Sequence, residues 1–356
     1  MRSERHPKWL LRTPALAGAI LLGSFGQARA HHGSAPHFDS EDIVSLSGTV
    51  SRMNFVNPHA FVHLEVEETD GSTVEWRCEL SGASQLRRFG WSRDTLVAGQ
   101  EIQIVGSRAR REANSCDTQS IHLADGTNLS RGVTIQGTVE QQRTADSNDA
   151  TSRPRSLANG QPNLSGDWIV RDDGGWTNGL PVLTDSGARA AESYDIRFDD
   201  PVIHCESGNI VWDWARQAHV NDLRQEDDRV LLRYGYLDLT RTIYLGVTDH
   251  PENLVPSLEG HSIGRWDGDT LIVDTIGFLP RVLIPRESIM TSAEMHVTER
   301  FRYDDTSNTL VRDYEVTDPL YLAEPYRGGD VADLAAAAYE PYNCVDLSGE
   351  NNRRPD

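Results

Sequence analysis

The chain has 356 residues, 38% of them hydrophobic, and a formal net charge of −20. A surface of that sign repels nucleic acid and anionic lipid, which excludes both phosphate backbones as partners, and it concentrates cations instead. Lys8 is the only lysine, so no later residue is a lysine that could form a Schiff base or act as an amine nucleophile.

Arg2, Arg5, Lys8 and Arg12 precede an apolar run from Ala15 to Phe25, and Ala28 and Ala30 are the small residues of a cleavage site. Residues 1–30 read as a signal peptide, because the apolar run is too short to span a bilayer and no later segment approaches that length. A periplasmic or secreted protein starting at His31 is expected. A freed His31 presents an amine and an imidazole on one residue, a pair that suits copper. Residues 31–43 form an arm that carries His31, His32 and His37.

Strand composition follows at 44–56 and 60–67, separated by Asn57-Pro58, and at 73–80 after the turn at Asp70-Gly71. A short helix at 81–88 and strands at 101–109 and 117–123 come next. Three strands, a helix and two strands is the element order of an oligonucleotide/oligosaccharide-binding (OB-like) small barrel, assigned to residues 44–140. Closure would join the third and fifth strands, where Cys78 and Cys116 fall. The four cysteines allow three pairings; Cys78–Cys116 with Cys205–Cys344 keeps each bridge inside one domain.

His59 lies at the turn between the first two strands, at the barrel mouth, within reach of the arm. A metal site made of the His31 amine and imidazole plus His59, His32 or His37 is one reading. The other is that His31 and His32 merely follow a cleavage site and His59 caps a turn. His63, four residues along the same strand face, is roughly 13 Å from His59 and cannot share an ion with it.

His31-His32, Leu46-Ser47-Gly48-Thr49-Val50, Asn57-Pro58-His59 and Leu86-Arg87-Arg88-Phe89-Gly90-Trp91 together resemble a family of small exported bacterial domains known by an Ala-His-His-Ser start and an Asn-Pro-His motif. Gly33 stands where that family has Ser. The resemblance spans residues 28–130 and implies a protein type rather than an activity.

Residues 141–163 are polar, rich in Ser, Asn, Asp and Pro, and read as a disordered linker. Residues 164–356 form the second domain. Gly166-Asp167-Trp168 is the Gly-x-Trp opening of lipocalin-like barrels, and strand-like runs follow at 209–216, 229–236, 239–246, 261–266, 270–277, 293–303 and 309–317. A larger antiparallel lipocalin-like barrel or curved sheet is expected, with helices at 184–192 and 331–339. The run from Gly260 to Thr275, the segment Met295 to Phe301 and the closing Asn351-Asn352-Arg353 resemble a signature of other exported bacterial proteins without a settled activity.

With Asp267-Gly268 as a two-residue turn, His261 faces Asp274. That is the arrangement of a general base, or of a structural pair. In the last hairpin a four-residue loop at 304–307 sets Glu299, on the apolar face, opposite Arg312. A buried carboxylate is costly unless paired, which favours an interior ion pair over an acid catalyst. Trp212, Trp214 and Trp266 either line a cavity or fill the core, and the core is the better reading.

The sequence contains no nucleophile elbow, phosphate loop or His-Glu-x-x-His, and no fingerprint for a nucleotide or flavin cofactor. The expectation is an exported, two-domain, mainly β binding protein. It would take copper at the N-terminal histidines, a small apolar ligand in the C-terminal barrel, or both. The alternatives are a lipocalin-like isomerase, cyclase or hydrolase, with His261 and Asp274 as base and Glu299 or Arg312 assisting, and an envelope scaffold.

Overall fold

The computed structural model describes residues 37–130, 153–171, 175–177 and 179–346. The expected signal peptide, His31, His32 and part of the expected linker lie outside these residues.

The first barrel comprises β1 (Phe38–Asn54), β2 (Phe61–Glu67), β3 (Thr73–Glu79), α1 (Ala83–Arg88), β4 (Glu101–Ala109), β5 (Ser115–Leu123) and β6 (Asn128–Ser130). The sheet order is β3-β2-β1-β4-β5-β6, and a further β3–β5 pairing closes it. Cys78 and Cys116 face each other across that closure and are disulfide-bonded. One long strand, β1, pairs with both β2 and β4. Gly48 permits this: a Cβ there would lie 2.2 Å from the Glu65 carbonyl oxygen. Val50, Leu64, Ile104 and Ile121 fill the interior, and Leu86 of α1 packs on them.

The second barrel begins with β7 (Gly166–Val170) and β8 (Trp176–Thr177), then α2 (Asp185–Ser193) and α3 (Ile196–Asp199). It continues with β9 (Val220–Gln225), β10 (Arg229–Arg233), β11 (Thr240–Leu245), β12 (His261–Asp267) and β13 (Thr270–Ile276). A small hairpin of β14 (Val282–Ile284) and β15 (Ile289–Met290) precedes β16 (His296–Asp304), β17 (Thr309–Thr317) and β18 (Tyr326–Leu334). The order β17-β16-β13-β12-β11-β10-β9-β7-β18, closed by a β17–β18 pairing, makes a barrel of successive strands. Its core includes Trp168, Trp214, Leu232, Val273 and Phe301.

Three expectations about elements need correction. Residues 209–216 form a turn rather than a strand, because the Asn209 Oδ1 accepts from the Val211 and Trp212 amides (3.0 and 2.8 Å) and Asp213 caps Gly208. The strand is β9. Residues 331–339 are not a helix, since β17 and β7 both offer open edges that β18 pairs with, and those pairings outweigh local alanine content. Finally, the barrel is not wholly antiparallel: β11 and β12 are parallel. Residues 246–260 must therefore travel back along the barrel before β12 can start.

The second disulfide is Cys205–Cys344. Cys344 belongs to a C-terminal segment that returns to the first barrel. There Asn57 Nδ2 donates to the Tyr342 carbonyl (2.6 Å) and the Val345 amide donates to the Asn57 carbonyl (2.7 Å). Among the described residues no helix is long and apolar enough to cross a membrane.

Candidate functional site

The β12–β13 hairpin turns at Gly268-Asp269, one residue later than expected. Gly268 has φ +58°, which suits the first central position of a two-residue turn where glycine is favoured. Asp267 then pairs with Thr270, Ile263 with Asp274, and His261 with Ile276. His261 and Asp274 are diagonal neighbours on the outer face rather than direct partners. The residue between them is His250, carried there by the 246–260 crossover. Its Nδ1 lies 2.8 Å from His261 Nδ1 and its Nε2 lies 2.9 Å from Asp274 Oδ1. His296, at the start of β16, places Nε2 2.6 Å from Asp274 Oδ2.

The tautomers follow from this geometry. Partial burial pushes the Asp274 carboxyl up, but hydrogen bonds from His250 and His296 outweigh it and hold the pKa below the ordinary carboxylate value. An ionised carboxylate only accepts, so His250 and His296 each donate from Nε2. Neutral His250 then has its lone pair on Nδ1, and His261 donates to it. Partial burial and the neighbouring His250 both lower the His261 pKa. Tyr244 stacks on the His261 ring at 5.3 Å and 17°.

The same two strands build a second polar group on their inner face. Ser262 and Thr275, which flank His261 and Asp274 in sequence, accept from Arg241 Nε and Nη2, both at 2.8 Å. Arg241 also meets Glu299 at 2.5 Å, Glu299 meets Arg312 at 3.3 Å, and Arg312 meets Asp330 at 2.5 Å. All four are buried. The expected Glu299–Arg312 pair is present although the loop occupies 305–308, so that Glu299 faces Tyr314 and Arg312 faces Phe301. A shift of two residues changes the partner and keeps the face. Burial opposes the Arg241 charge, but Glu299 outweighs it and raises the pKa; burial pushes the Asp330 carboxyl up against the pull of Arg312.

The four residues expected to act together in an enzyme thus occupy opposite faces of one sheet. His261 and Asp274 point outward, Glu299 and Arg312 inward, and a single substrate atom cannot meet both pairs.

A cavity of about 190 Å³ opens on the second barrel beside β17, β18 and the 209–217 turn. Trp212, Leu283, Ile284, Tyr314 and Tyr326 supply most of its apolar wall, and Asp330 joins it to the buried charges. Of the three tryptophans, Trp214 is core, donating Nε1 to Asp330 at 3.1 Å. Trp212 and Trp266 are partly buried against that core, and only Trp212 lines the cavity.

In the first barrel, His59 Nδ1 lies 2.6 Å from Glu79. His63 is buried, contacts Arg52 and Glu75, and has a pKa lowered by burial and by Arg52. His37 precedes β1, its carbonyl accepting from the Arg110 amide. The row Arg108–Cys116–Cys78–Val62 separates the two: His37 lies beyond it at one end of the barrel and His59 at the other. They differ by about 17 Å of strand rise, so one ion cannot hold both. Among the described residues no group of three or more His, Cys, Asp or Glu side chains is gathered to hold a metal ion.

Residues 19–119 match the model of a family of unknown function, DUF6152. That match covers the first barrel through the start of β5 and leaves the second barrel outside it. No curated protein matches the chain. Among solved structures, a crystal structure of a mutant of the fluorescent protein UnaG is similar at 12% identity, covering 48% of this chain and 96% of that one, with a TM-score of 0.24. A likeness of that size carries no argument here.

Proposed function

We propose that the chain is an exported binding protein whose second barrel takes a small, single-ring amphipathic molecule. The observation that carries this reading is the cavity of about 190 Å³ walled by Trp212, Tyr314, Tyr326 and two aliphatic side chains. An apolar cavity of roughly 150 Å³ takes up benzene, so the space suits one ring with a short polar substituent. Polar handles are at hand. Burial pushes the Tyr314 hydroxyl up and keeps it a neutral donor, and the Asp330 carboxylate stands at the wall. Two disulfides support export, since such bonds persist in oxidising spaces.

Thermal melts with phenol as the probe test the reading. A binder shows a midpoint that rises with phenol concentration while phenol is recovered unchanged. Ala215→Phe, which places a ring in the cavity, removes the response. An unresponsive wild type, or an equal rise in the variant, overturns it.

A further inference from the structure

The chain of contacts on the outer face of β12 and β13 has no part in binding at the cavity. Two imidazole nitrogens, His250 Nδ1 and His261 Nδ1, point at each other across 2.8 Å. Each carries a lone pair in one of its tautomers, and only one proton can lie between them. Asp274 removes the ambiguity at His250, because its carboxylate accepts the Nε2 proton and leaves Nδ1 as the lone-pair atom. A carboxylate holding the far nitrogen of an imidazole is the usual support of a metal-ligating histidine.

We propose that His250 and His261 form a site for a divalent transition-metal ion of the zinc, copper or nickel class, held by the two Nδ1 atoms. Asp274 fixes the first ligand, and the Tyr244 ring fixes the plane of the second. His296 donates to the other Asp274 oxygen and keeps that carboxylate in place.

At metal–nitrogen distances of about 2.0–2.1 Å, two nitrogens on one tetrahedral ion stand roughly 3.3 Å apart. The two rings need to separate by about half an ångström from their hydrogen-bonded distance and to turn so that both Nδ1 lone pairs converge on the ion. His250 is on the crossover, not on a strand, so this movement breaks no strand ladder. The ion replaces the Nδ1 proton of His261, which takes up a proton on Nε2 and stays neutral. Water fills the remaining positions. Nitrogen ligands select against calcium and magnesium, which prefer oxygen. The net charge of −20 raises the cation concentration at the surface.

The test is zinc titration of the full chain by calorimetry at pH 7.5, counting equivalents because other histidines are present. Wild type is expected to bind one equivalent more than His250→Ala or His261→Gln, each variant keeping the wild-type circular dichroism. Asp274→Asn should weaken that equivalent 10- to 100-fold, whereas His296→Ala should change it less than Asp274→Asn does. Copper-loaded His261→Gln should show less nitrogen hyperfine coupling than copper-loaded wild type. Equal zinc equivalents in wild type and both histidine variants overturn the proposal, as does unaltered copper coupling. The phenol response is expected to survive in His261→Gln, so this site and the cavity fail or stand separately.

Discussion

At the scale of single residues, the second barrel is governed by how it satisfies buried charge. Arg241, Glu299, Arg312 and Asp330 balance two positive against two negative groups, and hydroxyls and carbonyls complete the arginine donors. Removing one member would strand its partner in a dry interior. His219 has the opposite problem. It is packed among Tyr236 and Tyr342, and burial, with Arg216 and Arg88 nearby, pushes its pKa down to about 3 from 6.5. Because the folded value lies below the unfolded one, the unfolded chain binds the proton more tightly. The contribution is complete above about pH 6.5 and is lost as pH falls toward 3. Urea unfolding at stepped pH should show this loss, on the order of 5 kcal/mol if taken in full, and His219→Phe should flatten it.

Among elements, close approach of backbones decides more than side-chain chemistry. At Gly48, β1 runs against Glu65 of β2 so tightly that any side chain meets a carbonyl oxygen. Gly48→Ala should lower stability by about 1–3 kcal/mol, read as a shifted urea midpoint with an unchanged slope. The parallel β11–β12 step has the larger consequence. It sends the 246–260 segment back along the barrel and delivers His250 between His261 and Asp274, a position no hairpin could supply. The strands themselves then divide the labour. Alternation puts His261 and Asp274 outside while Ser262 and Thr275 hold Arg241 inside.

Over the whole molecule, the C-terminal segment links the two barrels. Cys344 is bonded to Cys205, 139 residues away in sequence, and Tyr342 and Val345 are hydrogen-bonded to Asn57. The Asn-Pro-His motif thus supplies a clasp: Asn57 Oδ1 accepts from the Ser84 amide, Nδ2 bonds both Ser84 and Tyr342, and the residue is buried. Cross-linking a loop of that length is worth up to about 5 kcal/mol. Cys205→Ser with Cys344→Ser should lower the melting temperature, and hydrogen exchange at the Val345 amide should become faster. Wild-type protection at Val345 in the double variant would show that the hydrogen bonds to Asn57 and Asp238 hold the segment without the disulfide.

Patterns that repeat within a few residues were open to reading from the sequence: the mainly β class, most strands of both barrels, the two disulfides, and the inward face of Glu299 and Arg312. They depend on two-residue alternation and on short turns, which are local. The exact register was not local in the same sense. It hinged on whether Gly268 took the first or second turn position, a choice made by the twist of strands already paired. The β18 strand is hidden because its ladder partners are far away in sequence, and the 209–216 turn because side-chain caps from Asn209 and Asp213 override its strand composition. His250 carries no signal in its own neighbourhood, and His296, three residues from the inward-facing Glu299, is placed on the outer face by alternation and no further. Composition and alternation determined what each strand could bury; closure of the barrels decided which residues meet, because a ladder partner or a crossover is set by the whole ring and not by its neighbours in the chain.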